Sequence, residues 1–190
     1  HQGVVIEKLS QRKAQLTNME PIGNGQLRIE FIIPARGLIG FRSQFLTDTR
    51  GTGTLNHRYS GYGPYAGPIP SRNKGAMISM ENGTVTAYAL DGLQPRGELF
   101  VAPNVEVYEG MIIGEHSRDN DLDVNPARKK KLTNMRASGT DDAVQLTPPR
   151  SMTLEQALDW INDDELIEVT PTGLRLRKRE LRANLRKKRQ

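Results

Sequence analysis

An α+β chain of two domains is predicted. Residues 1–66 form a ferredoxin-like sheet lacking its first strand, and residues 67–190 form a small β-rich domain with a helix, a terminal hairpin and a basic loop over 125–144. Three observations predict this. The first third reads helix, strand, strand, helix, strand, which becomes a split β-α-β unit once one strand is placed in front. The middle breaks into short apolar runs between glycines, as in a small barrel or curled sheet. The end pairs a capped helix with two short strands around a Pro-Thr-Gly turn.

Gly3 to Leu16 reads as a helix, with Val5, Leu9 and Leu16 sharing a face and Lys8, Gln11 and Arg12 wet. A short extended piece, Gln15 to Met19, leads into Pro21-Ile22-Gly23-Asn24-Gly25, where Gly and Asn tolerate positive φ and Pro sets its own. Gln26 to Ile33 alternates as a half-buried strand, Leu27, Ile29, Phe31 and Ile33 on one side and Arg28 and Glu30 on the other, until Pro34 stops it. Leu38, Phe41, Phe45 and Thr49 recur at helical spacing, and Gly51 ends that helix. Thr54 to Tyr59 again reads as a strand. The leading strand of a split β-α-β unit is central in the sheet, so the chain is expected to begin inside a domain, with a gap between Gln26–Ile33 and Thr54–Tyr59.

Ser60 to Asn73 holds three Gly and three Pro and reads as a linker. Ala76–Met80, Thr84–Ala89, Leu99–Ala102 and Met111–Glu115 are then short apolar runs, punctuated by Gly83, Gly92, Gly97, Pro103 and Gly110. Thr153-Leu154-Glu155-Gln156 matches a capping box and opens a helix whose apolar stripe is Leu154, Ala157, Leu158 and Ile161. Trp160, the sole tryptophan, is expected in a core or at a domain boundary. Leu166–Thr170 and Leu174–Lys178 flank the terminal turn, with Leu174 and Leu176 inward and Arg175 and Arg177 outward.

There is no cysteine, so no disulfide framework and no Cys-based zinc site, which is compatible with a reducing cytosol. No apolar run approaches the ~20 residues of a membrane span, and the start lacks the basic flank and apolar core of a signal peptide. The net charge is +5, but from Leu174 to Gln190 there are nine Lys or Arg against one acid, while the remainder carries 18 bases and 21 acids. All net positive charge therefore sits in the tail, which suits a polyanion, nucleic acid more than membrane because large apolar residues are few there. Its alternative is a solubilising terminus.

The second basic feature is the loop around Lys129. Arg128, Lys129, Lys130 and Lys131 are contiguous, and Asn134, Arg136, Ser138 and Thr140 follow at short intervals. Leu132 and Met135 fit neither helical nor strand periodicity. Ammonium, guanidinium, amide and hydroxyl groups held between ordered segments suit phosphates and sugars. Lysine serves as a point charge for phosphate, while Arg136, Asn134 and Ser138 suit more specific contacts. The candidate RNA contacts are these eight residues together with Arg175, Arg177, Lys178 and Arg179 of the tail. A solvated surface loop is the alternative, and the loop is expected to pack poorly until RNA orders it.

Catalytic chemistry finds no footing. The pattern G-x-x-x-x-G-K-[ST] is absent, and Gly51-Thr52-Gly53 reads as a helix stop and turn. Asp119, Asp121 and Asp123 open with calcium-loop spacing, but the required Gly is missing and Lys130 stands at the twelfth position. They read as a polar loop that repels RNA from that side. His116 and Ser117 lie near Asp119 without the marks of a nucleophile and oriented base, and His57 reads as a strand histidine.

QGVVIEKLSQRKAQLTNMEP from Gln2, with the alternating strand after it, resembles domain V of elongation factor G. The likeness runs on through PARGLIGFRSQFLTDTRGTG from Pro34, ALDGLQPRGELF from Ala89 and VYEGMIIGEHSRDNDL from Val107. KKLTNMRASGTDDAV from Lys130 and RSMTLEQALDWINDDELIEVTPTGLRLRKR from Arg150 complete it. Over essentially its whole length the chain is similar to the C-terminal portion of the BipA/TypA family of ribosome-associated translational GTPases. The resemblance implies a longer parent that hydrolyses GTP with magnesium, while this portion binds neither and is no enzyme. It implies a cytoplasmic monomer that docks at the ribosomal factor site and serves large-subunit assembly and stress or cold adaptation. It also implies that the loop matching Asn125–Val144 approaches the acceptor end of A-site tRNA, toward the peptidyl transferase centre, against large-subunit rRNA. A protein-interaction or structural module with a solubilising tail is the other reading.

Overall fold

The structure, a computed structural model, describes residues 1–69, 72–129 and 145–186. It is α+β, as the sequence predicts, and divides into two units: His1–Ser71 with Glu155–Trp160, and Arg72–Leu154 with Ile161–Gln190.

In the first unit, α1 (Gln2–Gln11) precedes β1 (Gln15–Gly23) and β2 (Gln26–Ile32), which pair antiparallel from Gln15↔Ile32 to Gly23↔Gln26. The turn has Gly23, Asn24 and Gly25 all at positive φ, the conformation its composition allows. Val5 and Leu9 of α1 bury against Phe41 and Phe45 of α2 (Phe41–Asp48), with Phe31 and Ile33 packed alongside. Arg12 draws the unit together: its guanidinium donates to the carbonyl of Ile39 at 2.8 Å and to Asp159 at 2.9 Å, and lies over the Phe41 ring.

Three expectations are corrected here. Helix α1 stops at Gln11, because Lys13 takes a left-handed conformation and the N–H of Ala14 turns back to the Leu9 carbonyl. Leu16 therefore lies on β1 and is exposed. Gly40, at φ 70, separates a 3-10 turn at Ala35–Leu38 from α2, so Leu38 is outside the helix that holds Phe41 and Phe45. Thr54–Tyr59 forms no strand: its Leu55 packs on the core, but no ladder joins the segment to β2 or to any other strand among the described residues. In a split β-α-β sheet the last strand pairs only with the leading one, and among the described residues no strand precedes α1.

The second unit is built on β7 (Met111–His116), which is central in a six-stranded sheet of order β8-β3-β7-β10-β9. One edge of β7 meets β3 (Ala76–Ser79), which runs parallel to β8 (Leu122–Val124). Its other edge is shared: β5 (Gly97–Leu99) pairs with the His116 end, and β10 (Gly173–Lys178) with the Met111 end. The sheet is thus branched rather than closed into a barrel. Gly114 permits the close approach, since a Cβ there would meet both the Glu98 carbonyl and the Met77 side chain at 2.5 Å. A separate ladder pairs β4 (Gly83–Thr84) with β6 (Glu106–Val107), and Met77, Val85, Leu90, Leu99, Val107 and Ile113 belong to one core.

The run Thr84–Ala89 holds no strand beyond Thr84. Helix α3 (Ala87–Leu93) starts there, capped by Thr86, whose hydroxyl accepts from the Ala89 N–H at 3.1 Å. Helix α4 (Leu154–Trp160) begins directly after Thr153 as its capping pattern predicts, but it buries Ala157 and Trp160 while Leu154 and Leu158 stay exposed. The terminal hairpin forms as expected, β9 (Glu165–Thr170) against β10, but Gly173 already pairs opposite Thr170, so the turn is Pro171-Thr172.

Candidate nucleic-acid interface

The basic loop enters from β8. Asn125 forms an Asx turn, its side chain accepting from the Ala127 N–H at 3.0 Å and donating to Glu81 at 2.8 Å, and Pro126 is fully buried. Thr86 then holds the entry twice: its N–H donates to the Pro126 carbonyl at 3.0 Å and its hydroxyl to the Arg128 carbonyl at 2.6 Å. Arg128 and Lys129 follow, both exposed. Lys130, Lys131, Asn134, Arg136, Ser138 and Thr140 lie outside the described residues, as does the expectation about the loop's packing.

The returning stem is held just as firmly. Gln94 donates to the Gln145 carbonyl at 3.1 Å and accepts from the Thr147 N–H at 3.2 Å; Leu146 packs on the core, and the Arg150 N–H bonds the Leu99 carbonyl at 2.8 Å. Thr86 and Gln94 are the two caps of α3. One seven-residue helix, about 10 Å long at 1.5 Å per residue, therefore holds both ends of the loop.

The tail divides into two groups. Lys178 is corrected from a surface contact to a core residue: it is 2% exposed, and its ammonium lies 2.6 Å from Asp121, 2.8 Å from Asp164 and 2.8 Å from Glu165. Glu165, fully buried, also receives a bidentate pair of 2.6 Å bonds from Arg72 and the Asn162 N–H at 2.9 Å. Burial works against the charge of Lys178, but its three carboxylate partners outweigh that and raise its pKa above the ordinary 10.5. Burial likewise opposes ionisation of Asp121, and the Lys178 ammonium and the Ala76 N–H overcome it, holding the carboxyl below 3.8. Arg177 pairs with Glu168 at 2.7 Å, and Glu168 accepts from the Tyr108 hydroxyl at 2.6 Å. Burial first, then that bond, pushes the Tyr108 pKa far up. Arg175 is half-buried, with no carboxylate partner among the described residues, and Arg179 is exposed, donating to the Asp163 carbonyl at 3.0 Å.

Comparison with known proteins sets this arrangement in context. The model for the TypA/BipA C-terminal domain matches residues 74–183. The chain belongs to the TypA/BipA family. Residues 1–73 match the elongation factor G C-terminus. Among curated relatives, the large ribosomal subunit assembly factor BipA of Escherichia coli K12 is 56% identical over 189 residues, and those of Haemophilus influenzae and Bacillus subtilis are 54% and 47% identical. Each alignment covers 99% of this chain and 31% of the relative.

Within this TypA/BipA chain, the acidic segment that runs from the β7–β8 loop into β8 serves its own fold: Asp121 pairs with Lys178, and Asp123, on β8, with Arg186 at 2.8 Å. Two of its three carboxylates are thereby neutralised, which weakens the expected repulsion of RNA from that side. Among the described residues no group of three His, Cys, Asp or Glu could hold a metal, and no helix is long and apolar enough to cross a membrane. Thr86 and Gln94 were not singled out in the sequence. Thr86 had a local signal, a hydroxyl three residues before Ala89 at a helix start, whereas the partners of Gln94 lie 51 and 53 residues away.

Proposed function

We propose that this chain is an RNA-docking module of a ribosome-associated factor that acts in assembly of the large subunit. The observation that carries the reading is the mounting of the loop. Both of its stems are fixed to the caps of α3, and the entry stem delivers Arg128 and Lys129 to solvent at the head of a cationic run. The relatives named as large-subunit assembly factors support the choice of partner. The module docks at the factor site as a cytoplasmic monomer. Its loop reaches toward the A-site tRNA acceptor end and the peptidyl transferase centre, with Arg175 and Arg179 on large-subunit rRNA. GTP hydrolysis with magnesium, and the link to stress or cold adaptation, belong to the whole protein. No residue of this chain is assigned to nucleotide or metal.

Changing Lys129, Lys130 and Lys131 together to Ala tests this. Binding to purified large subunits is expected to weaken, and its salt dependence to flatten by about 0.7–0.9 log units for each phosphate no longer neutralised. A folded triple variant with unchanged affinity and slope would remove the loop from the RNA contact. If the wild-type chain itself shows no salt-dependent binding, the protein-interaction reading replaces this one.

A further inference from the structure

A second cationic feature stands where β5 and β7 end together. Gly97 lies opposite His116 in their ladder, the Ser117 N–H donates to the Arg96 carbonyl at 2.8 Å, and the Gly75 N–H donates to the Arg118 carbonyl at 2.7 Å. Only glycine fits at position 97, because a Cβ there would collide with the Glu115 carbonyl. These bonds set Arg96 and Arg118 beside one cavity of about 350 Å³, which His116, Ser117 and Asn120 also line.

Several other cations of the unit are paired. Arg72, Arg150, Arg177, Lys178 and Arg186 each lie within 3.1 Å of a carboxylate. Arg96 and Arg118, both exposed, have no carboxylate partner among the described residues, and no Asp or Glu lines their cavity. Of the nearby acids, Asp121 and Asp123 are committed to Lys178 and Arg186, while Asp119, next to Arg118 in sequence, pairs with no cation among the described residues and does not line the cavity. His116 is 6% exposed and its Nδ1 donates to the Asn120 carbonyl at 2.7 Å, which fixes the ring in the wall. Two guanidinium forks with no internal acceptor suit a tetrahedral oxyanion better than a single lysine would. Gln94, which holds the loop's returning stem, is two residues from Arg96, so the cavity adjoins one root of the loop in sequence.

We propose that the Arg96–Arg118 cavity is a phosphate site taking one backbone phosphate of RNA, additional to the basic loop. It rests on the reading of this unit as an RNA-docking module. The test compares the full chain with Arg96→Ala/Arg118→Ala, Arg96→Lys/Arg118→Lys and the triple lysine variant. Each is titrated with purified large subunits and with a labelled single-stranded RNA across a range of KCl, and with inorganic phosphate followed by NMR.

The double alanine variant should melt like wild type, bind both RNAs roughly tenfold more weakly, and lose about 0.7–0.9 of salt slope for the one phosphate released. The double lysine variant should keep the slope and recover only part of the affinity, because charge is retained and the fork is lost. If the alanine variant binds as wild type while the triple lysine variant is weakened, this site is overturned and the module reading stands. If inorganic phosphate shifts the arginine resonances while RNA affinity is unchanged by the double substitution, the site takes free phosphate and the RNA assignment is overturned. If wild type binds neither RNA, the module reading fails and this proposal with it.

Discussion

Replacing Lys178 by Met separates a structural role from a nucleic-acid role in one step. The ammonium has three donors and three carboxylate partners at 2.6–2.8 Å, in a side chain only 2% exposed. Removing one member of a buried ion pair costs roughly 3–5 kcal/mol, because the partner is left charged and unpaired. The three partners do not contribute equally. Asp164 is 63% exposed, so its pair with Lys178 adds little, and Glu165 keeps the bidentate Arg72 and the Asn162 N–H. Asp121, 24% exposed and left with the Ala76 N–H, is the carboxylate that is stranded. The expected loss is therefore near the lower bound, about 3 kcal/mol, a large fraction of the ~5–15 kcal/mol that holds a typical domain. Urea denaturation should show it, and hydrogen exchange at the amides of β7 and β10 should place it in the second unit. A loss below about 1 kcal/mol would refute the reasoning, the size of an ordinary surface pair. So would a variant of wild-type stability that binds RNA more weakly, which would return Lys178 to the interface.

Other outcomes follow from the same structure. The Asp121 contribution is fully present above 3.8 and is lost as pH falls through its lowered folded-state value, so the second unit should lose stability on the acid side of 3.8; that of Lys178 is present below 10.5 and is lost as pH rises through its raised folded-state value. Urea melts across pH should show both flanks, and Lys178→Met should flatten them. Thr86→Ala removes the cap of α3 together with the bond to the Arg128 carbonyl, and should cost about 1 kcal/mol in denaturation while weakening large-subunit binding. Gly114→Ala puts a methyl against the Glu98 carbonyl and Met77, and should destabilise the second unit by about 1–3 kcal/mol in the same assay.

Strands whose partners lie next to them in sequence were legible. Gln26–Ile32 pairs with the strand just before it, and Glu165–Thr170 with the strand just after, so local alternation and turn residues were enough. Thr54–Tyr59 has β-forming composition and no ladder, because a strand exists only with a partner and composition does not supply one. Lys178 was readable in principle: Leu174 and Leu176 face inward, and period two puts Lys178 on their side, with Arg175 and Arg177 on the other. Its charge argued for the surface, and only the distant Asp121 and the Glu165 across the hairpin make burial tolerable. The loop announced itself by charge, but its anchors bridge 42 and 51 residues, and the local capping signal of Thr86 does not point to the loop. Arg96 and Arg118 lie 22 positions apart and share a wall only through the β5–β7 ladder.

The two caps of α3 also bear on how this surface can change over generations. Thr86 and Gln94 fix where the chain departs and where it rejoins, and these two caps stand about 10 Å apart, a distance that three or four extended residues span. Closure entropy grows slowly beyond that, by about 0.6 kcal/mol for each doubling of length. By closure entropy alone, a change of length between the two anchors costs little, so long as Thr86 and Gln94 remain. Selection on the length of the loop is thereby only weakly tied to selection on the sheet that carries it.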